Sequence, residues 1–142
     1  VVPDNLGMAI SNSLQALNCG SSILDASVYG FGAGAGNTQL EVLAAILNKE
    51  SNKYDLQKLV NCANLIKKTF PDNIPTIDAS SIYSGLYGVF SGFKKHVERI
   101  SLQYNLNEHD IWFELGKNKV IAGQEDLILE IALNLNKKNG KI

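Results

Sequence analysis

The sequence predicts an α/β segment that turns all-α: a helix, a strand and two further helices, followed by a small helical bundle. Three observations carry this. Residues 23–29 alternate in polarity as a strand does, between two stretches whose apolar residues recur with helical period. A glycine-rich run over residues 30–36 joins that strand directly to the next helix, the order found in parallel α/β folds. Beyond Pro71-Asp72-Asn73-Ile74-Pro75 every apolar period is helical.

The first helix is read from Leu6, Ile10, Leu14 and Leu17, which share one face; Asp4 or Asn5 caps its start and Gly20 supplies a left-handed stop. In the strand Ile23–Tyr29, Leu24, Ala26 and Val28 form one face and Ile23, Asp25, Ser27 and Tyr29 the other. Asp25 and Ser27 need polar surroundings, which an α/β barrel provides at its upper lumen or rim. They either orient a ligand there or form a structural hydrogen-bonded pair.

The second helix opens on Thr38-Gln39-Leu40-Glu41, a capping-box pattern, and carries the stripe Leu40, Leu43, Ala44 and Leu47. A third helix over residues 55–70 turns Leu56, Leu59, Val60, Ala63 and Ile66 inward and places Lys67 and Lys68 at its negative end. Two prolines around Asp72-Asn73 then break the pattern, giving expected domains at 1–70 and 76–142.

The second domain is expected to hold three helices packed as a bundle. Val89, Phe93, Val97, Ile100 and Tyr104 form the most regular stripe; Asn107 and Asp110 start a helix with Ile111, Trp112 and Leu115 that ends at Gly116; a last helix from about residue 124 carries Leu127, Ile128, Ile131, Ala132 and Leu135. The aromatic residues follow the helical period, so they read as core or partner-facing packing.

With 45% apolar and 19% charged residues in 142, the chain has the composition of a folded globular protein. Its net charge is -1 and its lysines are dispersed in pairs, which gives no cationic field for nucleic acid or an anionic membrane. With neither a membrane-length apolar run nor a secretory leader, a cytoplasmic location is expected. Cys19 and Cys62 are expected to be buried, reduced, structural thiols, and His96 and His109 to hydrogen-bond at a surface or interface. The chain starts Val1-Val2-Pro3 and enters a helix signal at once, which reads as a position inside a larger domain.

The glycine run allows two readings. Gly32, Gly34 and Gly36 let backbone amides approach a carboxylate or phosphate at a helix start, or they merely make a tight turn. A nucleotide fingerprint is excluded, because Ala35 stands where its third glycine belongs and no Lys-Ser or Lys-Thr follows.

Several segments together carry a family resemblance. Asp4-Asn5-Leu6-Gly7-Met8-Ala9 with Asn12-Ser13, then Asp25-Ala26-Ser27 and Gly30 to Asn37 with Leu40-Glu41, resemble the last stretch of the TIM barrel of 4-hydroxy-2-oxovalerate aldolases, relatives of the hydroxymethylglutaryl-CoA lyases. Gly88-Val89-Phe90-Ser91 with His96 and Glu98, Glu114 to Lys117, and Gly123-Gln124-Glu125-Asp126 are similar to the helical domain that follows in that family.

The resemblance implies a lyase in which a divalent metal, usually manganese, stabilises the pyruvate enolate as a carbon–carbon bond breaks. It also implies docking of an acylating acetaldehyde dehydrogenase on the helical domain. The metal ligands are implied to be an aspartate on the first barrel strand and a His-x-His pair, at whose positions this chain has Val1 and Pro3. The chain is therefore expected to be the C-terminal portion of such an aldolase and inactive alone. Asp25, Ser27, Gly32, Gly34, Gly36, Leu86 and Tyr87 are the implied substrate or rim residues, with Asn37 near the metal. Gly85-Leu86-Tyr87-Gly88 departs from the family's Tyr-Ala between those glycines, which displaces the substrate-bordering tyrosine. A module that only docks a dehydrogenase or self-associates is the alternative, because an incomplete barrel leaves an open edge.

Overall fold

The computed structural model describes residues 2–138 and 140. It divides into two compact units, Val1–Ile77 and Asp78–Ile142.

The first unit contains α1 (Ala9–Asn18), α2 (Leu40–Ser51) and α3 (Leu56–Thr69), with short 3-10 turns at Val28–Gly30 and Pro71–Asn73. Helix α1 starts later than its apolar period predicts. Gly7 takes a left-handed φ of 72°, so the chain turns before the helix, and the Asp4 carboxylate reaches across that turn to accept the Ala9 amide at 2.9 Å. Leu6 is consequently exposed, and Ala9 and Ser13 occupy the buried face. Gly20, at φ 98°, ends the helix as expected. Helix α3 is capped by Asp55, whose side chain accepts the Lys58 amide at 3.1 Å.

The segment predicted as a strand, 23–29, is not one. A strand requires a ladder, and among the described residues the only pairing of this segment is an isolated parallel bridge from Ser27 to Gln39. Val28 to Gly30 close instead into the 3-10 turn, and Ile23 is left 78% exposed. A second isolated bridge, antiparallel, joins Pro3 to Asn37.

The predicted capping box of α2 also fails. The Thr38 hydroxyl is drawn into a buried hydrogen bond with Ser13 Oγ at 2.8 Å, tying α2 to α1, and Glu41 accepts the Tyr29 amide instead of one from its own helix. The expected burial of both cysteines is likewise corrected: Cys19, just past α1, and Cys62, on the outer side of α3, are exposed. The apolar interior of this unit is built from small side chains, Ala9, Ala35, Ala44 and Ala63, with Leu43 the largest among the described residues.

Among the described residues the second unit has four helices where three were expected: α4 (Ala79–Tyr87), α5 (Lys94–Tyr104), α6 (Glu108–Lys117) and α7 (Asp126–Lys138). Helix α4 escapes an apolar-period reading because its buried face is serine, at positions 80, 81 and 84. Asp78 caps it by accepting the Ser81 amide at 3.0 Å, and Gly88, at φ 64°, ends it. That stop splits the regular stripe. Val89 and Phe93 remain buried, but Val89 precedes the 3-10 turn Ser91–Phe93 and only Val97, Ile100 and Tyr104 ride on α5.

One core unites these helices. Val89, Phe93, Val97, Ile100, Ile111, Trp112, Leu115, Val120, Ile128, Ile131 and Ala132 form a single cluster. Each fully buried large side chain contributes about 1.5–3 kcal/mol, and more of them are buried here than in the first unit. Trp112 donates its indole N–H to Ser80 Oγ at 3.3 Å, and Ser80 donates to Glu108 Oε2 at 2.7 Å, so the polar atoms of the α4–α6 contact are satisfied.

Candidate functional site: the glycine loop and the end of helix α4

The glycine loop is a self-bonded turn. The Gly30 amide bonds to Ser27 O at 3.0 Å, Gly36 N to Ala33 O at 3.0 Å, Asn37 N to Gly30 O at 2.8 Å and Leu40 N to Ser27 O at 2.9 Å. The flanking strands of chain close it further, with Asp4 N on Gly36 O at 2.9 Å and Thr38 N on Val2 O at 3.1 Å. The Gly30, Gly36 and Asn37 amides so engaged are not available to an anion, which favours the tight-turn reading at the two ends of the loop.

Three glycines of the run make close approaches, Gly30 and Gly36 to backbone and Gly32 to a side chain that can turn aside. A Cβ on Gly36, already at φ 87°, would lie 2.4 Å from Gly30 O and 2.6 Å from Pro75 Cβ. A Cβ on Gly32 would lie 2.1 Å from Asn37 Nδ2, because the Asn37 carboxamide folds over that glycine and donates to Phe31 O at 3.4 Å. Gly34, at φ 61°, is left-handed like Gly30 and Gly36.

Ser27 lies beside the base of the loop, and its side-chain oxygen is buried without a hydrogen-bond partner. Asp25, two residues earlier, is exposed, so the two polar residues do not form the shared strand face that alternation suggested. Asn37 sits between Gly30 and Pro3 in the backbone pairing.

Leu86 and Tyr87 belong to the second unit, at the end of α4. Leu86 is exposed. Tyr87 is turned toward α6, where its hydroxyl meets His109 Nε2 at 2.7 Å and its ring packs edge-on against His109 and Phe113. The other His109 nitrogen faces Asp110 Oδ1 at 3.1 Å. Helices α4 and α6 come together closely here because position 116 is glycine: a Cβ would lie 2.8 Å from Tyr87 O.

Sequence reasoning missed the Tyr29–Glu41 bond and the Tyr87–His109 pair. Glu41 was legible only as a capping residue, and Tyr29 carries no sign in its residue type of its positive φ of 56°.

Comparison with known proteins gives this geometry a context. Residues 3–66 match the family model described as HMGL-like, and residues 75–137 match the DmpG-like communication domain. The chain is 52% identical over 134 residues to the 4-hydroxy-2-oxovalerate aldolase of Streptomyces tendae, covering 93% of this chain and 38% of that protein. It is 47% identical over 138 residues to that of Pectobacterium atrosepticum (96% and 40% covered) and 42% identical over 140 residues to that of Spirochaeta aurantia (97% and 41% covered).

The chain is similar along nearly its whole length to part of the 4-hydroxy-2-oxovalerate aldolases. It spans about two fifths of the length of the curated aldolases it matches. A divalent ion needs several hard oxygen or imidazole donors converging on one point. Among the described residues no three His, Cys, Asp or Glu side chains come together, and Asn37 has one side-chain oxygen and a proline as its bridged neighbour. These residues do not by themselves make the metal site of a 4-hydroxy-2-oxovalerate aldolase. Val1, at the place of one implied histidine, lies outside the described residues.

Proposed function

We propose that this chain is the part of a carbon–carbon lyase that supplies active-site rim and docking surface, while the metal-binding groups belong to residues outside it. The reaction of the whole protein is retro-aldol cleavage of a 4-hydroxy-2-oxovalerate-type acid to pyruvate and a short aldehyde. A divalent metal, manganese by family resemblance, serves that reaction as the sink for enolate charge.

The observation that carries this reading is the bridge between Pro3 and Asn37. The resemblance places the second histidine of a His-x-His pair at position 3, and the bridge sets that position directly against Asn37. A histidine there would stand beside the Asn37 oxygen, whereas proline brings no donor. Asn37 thus lends at most one oxygen to the edge of the metal site. Asp25, Ser27, Gly32, Gly34 and Gly36 shape the rim, and residues 1–70 form the barrel portion.

Residues 76–142 form the docking portion, whose partner is an acylating aldehyde dehydrogenase. Support comes from the match to a communication domain and from a core that is complete within this unit, which frees its surface for a partner. Leu86 and Tyr87 are assigned to the aldehyde's path. Leu86 stands where the family has its tyrosine, so the aldehyde specificity does not carry over from relatives with Tyr-Ala.

The test is a pyruvate-release assay with 4-hydroxy-2-oxopentanoate and Mn2+. The 142-residue chain should give no turnover, and a polypeptide that adds the first-strand aspartate and His-x-His pair should give it. Turnover by the short chain alone would overturn the assignment of the metal groups.

A second reading, an interaction module acting without catalysis, is favoured by Ile82, Leu86 and Phe90, exposed apolar residues in and just after α4. Light scattering with and without the dehydrogenase tests the docking that both readings share, and pyruvate release by the longer polypeptide separates them, since no turnover there would leave the module reading alone. Among the described residues no helix is long and apolar enough to cross a membrane.

A further inference from the structure

We infer that Glu41 is a positioning residue: its carboxylate, by holding the Tyr29 amide, sets the backbone direction from which the glycine loop and Asn37 are placed. Tyr29 has φ 56° and ψ 19°, a left-handed conformation that a bulky aromatic residue rarely adopts. Its amide is donated to Glu41 Oε2 at 3.0 Å, twelve positions along the chain. The other non-glycine residues at positive φ are Asn52, Asn105 and Lys119, of which the two asparagines close helices, where asparagine is well tolerated.

The geometry propagates from Tyr29. Gly30 follows in the same left-handed region, and its carbonyl accepts the Asn37 amide at 2.8 Å. A Cβ at position 30 would come within 2.8 Å of Asn37 O, so residues 30 and 37 are in direct backbone contact with no room for adjustment. Rotating Tyr29 back to an ordinary conformation would swing Gly30 and break that pairing, and with it the register of Asn37 against Pro3.

Glu41 is suited to the task by its place in the first turn of α2, where a negative charge is favoured by the free amides and dipole of the helix. A carboxylate accepting an amide makes a stronger bond than a neutral acceptor. In a capping box the same side chain would serve its own helix, but here it serves the loop.

That Glu41 sets the loop stands on this geometry alone; that the loop so set serves the lyase rests on the function proposed above. The experiment therefore reads geometry and not turnover. On the 142-residue chain, amide hydrogen exchange and the intraresidue amide-to-Hα nuclear Overhauser effect of Tyr29 are measured in Glu41→Ala and Glu41→Gln. The Ala variant should exchange the Tyr29 amide about tenfold faster or more, weaken the Overhauser signal that marks a left-handed residue, and shift the Gly30 and Asn37 amides. The Leu43 amide within α2 should keep its protection, and Gln, which retains an acceptor oxygen at the same reach, should restore Tyr29. Should Glu41→Ala not fold, Glu41→Asp, one methylene too short, takes its place with the same expectations. Unchanged Tyr29 signals, or a parallel loss of protection along α2, would overturn the inference by leaving Glu41 no role or only a helical one.

Discussion

The hydroxyl of Tyr87 and Nε2 of His109 lie 2.7 Å apart and join the C-terminal end of α4 to the first turn of α6. The histidine is oriented from its other side by Asp110, so each ring nitrogen has a partner. Removing the hydroxyl in Tyr87→Phe keeps the ring packing on Phe113 but abandons one nitrogen. We expect a loss of about 0.5–1.5 kcal/mol in urea unfolding followed by tryptophan fluorescence, since Trp112 reports on this unit. In a double variant with His109→Ala the two losses should not add.

Gly116→Ala would ordinarily stabilise a helix, by up to about 1 kcal/mol. Here the added methyl group would sit 2.7 Å from Tyr87 Cβ and 2.8 Å from Tyr87 O, and backbone cannot move aside without parting α4 from α6. Overpacking of this kind costs about 1–3 kcal/mol, so net destabilisation is expected. A lowered thermal midpoint, read by circular dichroism, checks the sign.

Gly36→Ala should damage the first unit and leave the second untouched. A left-handed φ of 87° and a contact of 2.4 Å to Gly30 O both oppose a side chain there. Amide spectra should shift throughout the loop around Gly30 and Asn37, whereas the indole signal of Trp112 should stay in place.

Acid should weaken the second unit through Asp78. Burial pushes its carboxyl upward, but the hydrogen bond from Lys94 and those from the Ser81 amide and hydroxyl outweigh it and hold the pKa below the usual carboxylate value. A folded-state pKa below the unfolded one contributes stability that is complete above the unfolded value, about 4, and is lost as pH falls through the lower folded one. Asp78→Asn should therefore lower stability at neutral pH and flatten its decline below about pH 4. Unfolding midpoints taken across that range for both proteins measure the difference.

What could be read from the sequence depended on how each element is stabilised. Helices α6 and α7 bury apolar side chains at regular intervals and lie close to their expected positions, and α3 lies where its period put it although Ala63 is its one buried residue and Val60, expected inward, is exposed. Helix α4 buries serines, so apolar period is blind to it. The expected strand failed because alternation describes one segment, whereas a strand is a relation between two, and Ser27 has only its bridge to Gln39. Thr38 and Glu41 fit a capping box in spacing but were taken by stronger claims, Ser13 in the interior and Tyr29 in the loop. The turn at the loop's glycines was legible; that the Gly30 and Gly36 amides would be satisfied from within was not.

The proposal that this chain forms rim and docking surface without the metal site is tested most directly by titrating it with Mn2+ and following binding calorimetrically and by paramagnetic broadening. We expect no saturable site with a Kd below about 1 mM, that is, none stronger than about 4 kcal/mol, and no broadening concentrated at Asn37. One tightly held ion per chain, with broadening centred on the glycine loop, would contradict it.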